Sequence, residues 1–394
     1  MSGGAHRAIA PHRAKRPTVA LVTRHWGGGD DEESAATARL VAGALSRHAE
    51  VEVVHLSPTG DHPAGALADS VFRVHRIGIK AAMPARAGIA RAALTRRGAP
   101  LGAAASALLD RLGGQAPGVG ERLDAIEARA VVLVGHDQPW DHAGWAAAGH
   151  TRCIAIPLLG DSNALALDGF CRLLERCDVV LSAHPGEARA VQAVLGPERA
   201  GRVVPLDLAF TINRAAARHR LFGVRWFGRY VVLLRGFPTG APRLERTITH
   251  EMLRAVLGRV SVAEVDVERW RITDGENTLL LPVNPSRVNL WRLMEHAVAT
   301  IDVRPGGPLG REAIESMLLG TPVLVPEATA AMEHARAASG GLWFADLREL
   351  VAGTKVLLDH PLRNRLAEQG EAYALAHHGE MAPFVERVNE LVLG

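Results

Sequence analysis

The chain has 394 residues, 48 % of them hydrophobic and 22 % charged, with a net charge of +3. That length admits two α/β units of roughly 150–200 residues, and the composition is that of a globular enzyme. The basic excess lies in residues 1–16, which hold Arg7, Arg13, Lys15 and Arg16 and no acid. It reads as a solvated tail, and the near-neutral body lacks the basic stripe expected of a nucleic-acid enzyme.

Three cysteines, Cys153, Cys171 and Cys177, fall in apolar segments without metal-ligand spacing. They read as reduced core residues of a cytoplasmic protein. No apolar run approaches the ~20 residues that span a bilayer. The N-terminus lacks the apolar stretch of a secretory signal. At most, peripheral membrane contact through the tail is expected.

Short apolar runs alternate with longer amphipathic stretches, the pattern of βαβ units and parallel sheets. The first strand is Thr18–Thr23, followed by a loop with Gly27, Gly28 and Gly29 and then a helical pattern over 34–48. Strands are expected at 51–56 and 71–77. An Ala- and Arg-rich helical stretch covers 82–128, and a further strand is expected at Ala130–Val134. That strand runs into Gly135, His136 and Asp137. Strand 153–159 precedes a helix start at 160–163, then come strands 178–182 and 202–206. Residues 211–228 read as a linker. A second series opens with Tyr230–Leu234 and continues through irregular strands to 272 and a strand at 278–283. Strand 300–303, helix 311–319, Gly320 and strand 322–325 follow. The remainder reads as mostly helical and amphipathic.

In an open parallel sheet, ligands bind beyond the carboxyl ends of strands. The most informative segment is Arg304-Pro-Gly-Gly-Pro-Leu-Gly310 with the helix that starts at Arg311. Glycines let the backbone approach an anion closely, and the first amides of a helix favour negative charge. Arg311 is placed to fork onto phosphate oxygens, and Glu315, one turn on, to accept from ribose hydroxyls. The plainer alternative is an ordinary strand–helix loop with an i,i+4 Arg–Glu pair worth ~0.3–0.5 kcal/mol.

Glu315-Ser-Met-Leu-Leu-Gly-Thr-Pro-Val-Leu324 resembles the donor-binding motif of retaining GT-B glycosyltransferases, specifically glycosyltransferase family 4. Weaker similarity extends over 17–392. It includes Asp178-Val-Val-Leu-Ser-Ala-His-Pro-Gly-Glu-Ala-Arg-Ala190 and Gly340-Gly-Leu-Trp-Phe-Ala-Asp-Leu-Arg-Glu-Leu350. The resemblance implies two Rossmann-like domains with parallel sheets facing across a cleft. An N-terminal acceptor domain would cover 17–210 and a C-terminal donor domain 229–378. A last helix in 379–394 would return to the first domain.

The resemblance implies a donor site of Arg235, Gly236, Gly307, Leu309, Gly310, Arg311 and Glu315. It implies His136, with Asp137 as an alternative, as the catalytic group, and Gly27, Gly28 and Gly29 as an acceptor and phosphate loop. Two departures stand out. Gly307 occupies the place of the motif's first glutamate, which in the family binds donor-sugar hydroxyls. The loop after Tyr230–Leu234 has Arg235-Gly236 in reversed order and no lysine. They leave open an unusual sugar or lost activity.

Among other candidates, Arg287 would line the nucleotide pocket or pair with a neighbouring helix. Glu327, Glu333 and His334 would reach the sugar or lie on a charged helix face. No metal motif, no Gly-x-Ser-x-Gly elbow and no Walker loop occurs. The expected function is metal-independent, retaining transfer of a sugar from a nucleoside-diphosphate donor to a small-molecule or cell-envelope acceptor. No cofactor is expected beyond that co-substrate. The alternatives are a non-catalytic partner protein of the same fold, or a nucleotide-sugar epimerase or hydrolase.

Overall fold

The computed structural model describes residues 16–23, 26, 32–57, 72–78, 123, 125–135, 151–159, 168–221, 229–234, 260–265, 270–274, 277–280, 286–304 and 307–394. The first sheet holds β1 (Thr18–Thr23), β2 (Glu50–Ser57), β3 (Arg73–Gly78), β4 (Ala130–Val134), β5 (Arg152–Ile156), β6 (Val179–Ser182) and β7 (Val203–Pro205). Its order is β3-β2-β1-β4-β5-β6-β7, with every pairing parallel. Helices α1 (Glu32–Leu45), α2 (Asp168–Arg176) and α3 (Pro185–Leu195) accompany it. The central strands β1 and β4 are continuous apolar runs because helices cover both faces of a parallel sheet.

The second sheet holds β8 (Tyr230–Leu234), β9 (Ser261–Val265), β10 (Trp270–Asp274), β11 (Asn277–Leu280), β12 (Thr300–Asp302), β13 (Val323–Pro326) and β14 (Gly341–Phe344). The order is β11-β10-β9-β8-β12-β13-β14. The helices along this part of the chain are α4 (Arg214–Ala217), α5 (Arg287–Met294), α6 (Arg311–Leu318), α7 (Ala330–Ala338), α8 (Leu347–Leu358), α9 (His360–His378) and α10 (Met381–Leu393).

One expectation needs correcting here. The second sheet is not wholly parallel, because β10 runs antiparallel to both β9 and β11. The short links after β9 and β10 leave no room for the crossover that parallel pairing requires. The stretch after β13 is mostly helical, as expected, with one short strand in it. β14 pairs parallel with β13 and closes the sheet edge; its four residues are too few to show a period in sequence.

In each sheet the strand order reverses once, between β1 and β4 and between β8 and β12. A crevice opens at the carboxyl ends of such strand pairs. The two sheets turn these ends toward each other: Glu33, in the first turn of α1 after β1, meets Leu309, in the loop after β12. One apolar cluster runs through both halves, from Val19, Leu21 and Val41 through Leu309, Ile314 and Met317 to Phe384 and Val388. α10 lies against the first half. Asn389 donates to the Ala44 carbonyl at 3.1 Å, and Arg129 donates to that of Leu393 at 3.2 Å. No helix among the described residues is long and apolar enough to cross a membrane.

Candidate functional site

The switch point of the second sheet builds the site. α6 begins at Gly310, whose φ of 60° and ψ of 34° place it in the left-handed region. A Cβ here would lie 2.5 Å from the Ala331 nitrogen and 2.6 Å from its Cα, so glycine is required by both conformation and space. The helix has no side-chain cap, and it starts with a cation, Arg311. Glu312 supplies the acid usual in a first turn, and the start without a side-chain cap suits an anion bound there.

Polar bonds in the core fix α6 against β12. The Ser316 hydroxyl donates to the Thr321 carbonyl at 2.9 Å and is bonded to the Thr300 hydroxyl at 2.8 Å. Thr321 in turn donates to the Met294 carbonyl at 2.8 Å. The motif's serine and threonine therefore hold the helix and leave its charged face to the site.

That face carries an interlocked set of arginines and carboxylates. Glu315 is fully buried; its Oε1 accepts from Arg311 Nε at 2.8 Å and its Oε2 from Arg287 Nη1 at 3.2 Å. Arg287 also donates to Glu312 Oε1 at 2.7 Å. Arg304 pairs with Glu312 Oε2 at 3.1 Å and with both oxygens of Asp302, at 2.9 and 2.7 Å. The Arg311 guanidinium lies 5.6 Å from the centre of the Phe210 ring, a cation–π contact.

Burial works to raise the Glu312 carboxyl, but Arg304 and Arg287 outweigh it and hold the group at about 2. At Glu315 burial prevails over the pull of Arg287 and Arg311, and its proton affinity is raised. Glu33 joins the set from the first half. Its Oε2 accepts the Leu309 N–H at 3.1 Å. Burial first, then the Glu312 charge, push its carboxyl up to about 8.

Of the sequence candidates, Leu309, Gly310, Arg311 and Glu315 come together at this helix start, with Gly307 beside them. The Leu309 side chain is buried in the core, so only its backbone faces the site. Arg287 joins as the bridge between Glu312 and Glu315. His136, Asp137, Arg235, Gly236, Gly27, Gly28 and Gly29 lie outside the described residues. Glu333 is set apart. It takes Arg189 from α3 at 2.7 Å and Arg336 at 2.6 Å, an ion pair between the halves. His334 is buried against Tyr373 and His378, and Glu327 is exposed.

Sequence reasoning missed Asp302, Arg304, Glu312 and Glu33 as members of the set. Glu312, directly after Arg311, carried a local signal; Glu33, 276 residues from Leu309, carried none. Among the described residues no group of His, Cys, Asp and Glu is placed to hold a metal ion.

No protein-family profile matches the chain, and no curated protein matches it in sequence. Solved structures do match in fold. HepE from Anabaena, determined with UDP and glucose, superposes with a TM-score of 0.61 at 14 % identity, over 95 % of this chain and 99 % of that one. Sucrose-phosphate synthase from Thermosynechococcus elongatus gives 0.62 at 16 % identity, over 95 % and 98 %. WaaG, a glycosyltransferase involved in lipopolysaccharide biosynthesis, gives 0.56 at 14 % identity, over 95 % and 100 %. The chain thus has the two-unit α/β architecture of GT-B glycosyltransferases along nearly its whole length.

Proposed function

We propose that this protein is a glycosyltransferase that moves a sugar from a nucleoside-diphosphate donor to a small-molecule or cell-envelope acceptor, with retention of configuration. The observation that carries the reading is the start of α6. A left-handed glycine, a helix start without a side-chain cap and the Arg287–Arg304–Arg311 set converge there, at the strand-order reversal of the second sheet. The fold match to HepE, a protein determined with UDP and glucose and also with UDP-glucose, supports it.

In this reading the helix start and Arg311 receive the diphosphate, and Glu315 accepts from the ribose hydroxyls. The bond from the sugar's anomeric carbon to the diphosphate oxygen breaks, and a bond to the acceptor oxygen forms. The acceptor proton passes to the departing phosphate. Charge grows on the diphosphate as it leaves, so fixed arginines and helix amides stabilise the transition state more than the ground state. They also take the neutralising role without a metal. Arg235 and Gly236, which follow β8, would extend the donor side. His136, Asp137 and the Gly27–Gly29 loop, which follow β4 and β1, would serve the acceptor side. The protein would act in the cytoplasm.

Incubation with the nucleotide sugar it binds and a panel of acceptors, followed by NMR of the product, tests this. A new glycoside with the donor's anomeric configuration is expected. Inversion would remove the retaining mechanism. Epimerised or hydrolysed sugar with no transfer would replace the transferase reading.

A further inference from the structure

Glu33 stands apart from the rest of the site because it comes from the other half of the molecule. Its carboxyl lies directly over Gly307. A Cβ on residue 307 would sit 2.6 Å from Glu33 Oε2, 2.8 Å from its Cδ and 2.9 Å from its Oε1. The Glu33 carboxyl therefore fills the volume in which a side chain at 307 would begin. Its Oε2 is fixed there by the Leu309 amide at 3.1 Å.

The chemistry of this point differs from that of the arginine face a turn away. A carboxyl offers phosphate oxygens no positive charge, yet accepts hydrogen bonds from neutral hydroxyls, which sugars present in pairs. It is also placed between the two strand-order reversals, where a group passing from one half to the other must lie.

We propose that Glu33, delivered from α1 across the interface into the space over Gly307, is a specificity-determining residue that binds hydroxyls of the donor's sugar. Glu33 Oε2 keeps its bond to the Leu309 amide while Oε1 takes the sugar hydroxyls. A carboxyl held largely protonated near neutral pH can also donate to a sugar oxygen. Because the carboxyl belongs to the first half, sugar recognition depends on the two halves being together, whereas nucleotide recognition belongs to the second half alone. This inference rests on the donor-site reading above.

The test compares binding of UDP, GDP, dTDP and ADP with that of UDP-glucose, GDP-glucose, dTDP-glucose and ADP-glucose, by titration calorimetry. Four proteins are used: wild type, Glu33→Ala, Gly307→Glu and the double variant, with circular dichroism confirming that each is folded. Glu33→Ala should weaken the sugar nucleotide by about ten-fold while free nucleotide stays within about three-fold, the loss of a hydrogen bond to a buried carboxyl. Gly307→Glu alone should also weaken the sugar nucleotide, because its new side chain meets Glu33. The double variant should recover most of the lost affinity by supplying the carboxyl from residue 307.

Nucleotide binding with a sugar preference indifferent to Glu33, or a double variant no better than Glu33→Ala, overturns this inference and leaves the donor site standing. Absence of any nucleotide binding by the wild type overturns both.

Discussion

Gly310 shows how one residue can be fixed twice over. Its positive φ excludes most side chains, and the Ala331 backbone fills the space where a Cβ would go. Gly310→Ala should cost about 2 kcal/mol or more of stability, read by urea denaturation with an unchanged m-value. A loss under 0.5 kcal/mol would mean that the α6 start is not built as described. The sequence made part of this residue-level picture visible. Arg311 and Glu315 are four apart on one helix, so their pairing follows from spacing alone. The network around them does not. Arg287 reaches Glu315 from α5 and Glu33 reaches Leu309 from α1; neither contact leaves a periodic trace, because tertiary packing alone creates it.

At the scale of elements, legibility followed burial on two faces. β1, β4 and β8 are uninterrupted apolar runs and stand in the structure where the sequence puts them. β10 and β11 lie toward or at one edge of their sheet and have mixed composition, and β14, at the other edge, is only four residues long, so their pattern is weak. α10 carries its own prediction. Its buried face of Phe384, Val385, Val388 and Val392 joins the core cluster beside α1, near the chain's first element. Phe384→Ala should destabilise the protein by about 3–5 kcal/mol. The loss should appear in the unfolding of the first half, monitored by Trp26 fluorescence, because Trp26 belongs to the same apolar cluster. A change below about 1 kcal/mol would separate α10 from that core.

For the whole molecule, the groups at the junction of the halves set the response to pH. His184, from the first half, and His334 and His378, from the second, lie with ring centroids 6.2 and 5.2 Å apart in sequence along the seam. Burial holds His184 down at about 4, with Glu333 opposing, and it lowers His334 and His378 as well. Unfolded histidine takes up its proton near pH 6.5, so the unfolded chain binds more protons between there and about 4, and stability falls as pH drops through that window.

Carboxyls whose proton affinity burial raises act in the opposite direction, Glu315 among them. Burial raises Glu33 to about 8 and Glu187 to about 7, although the latter accepts the Leu159 and Ala183 amides. Above the unfolded value of 4.5 the folded state holds these protons and the unfolded chain does not. Stability therefore falls as pH rises to about 7 and 8. Urea midpoints between pH 4 and 9 should pass through a maximum near the histidine value, about 6.5. Glu33→Gln should flatten the alkaline limb, and a profile that rises steadily to pH 9 would contradict these protonation states.

The proposed nucleoside-diphosphate site at the α6 start is tested most directly by calorimetric titration of wild type and Arg311→Ala with UDP, GDP, dTDP and ADP. Wild type should bind at least one nucleotide one-to-one, and Arg311→Ala should bind it about ten-fold or more weakly through loss of a charge-assisted contact to phosphate. Binding that is indifferent to Arg311, or no binding of any of the four, would contradict the proposal.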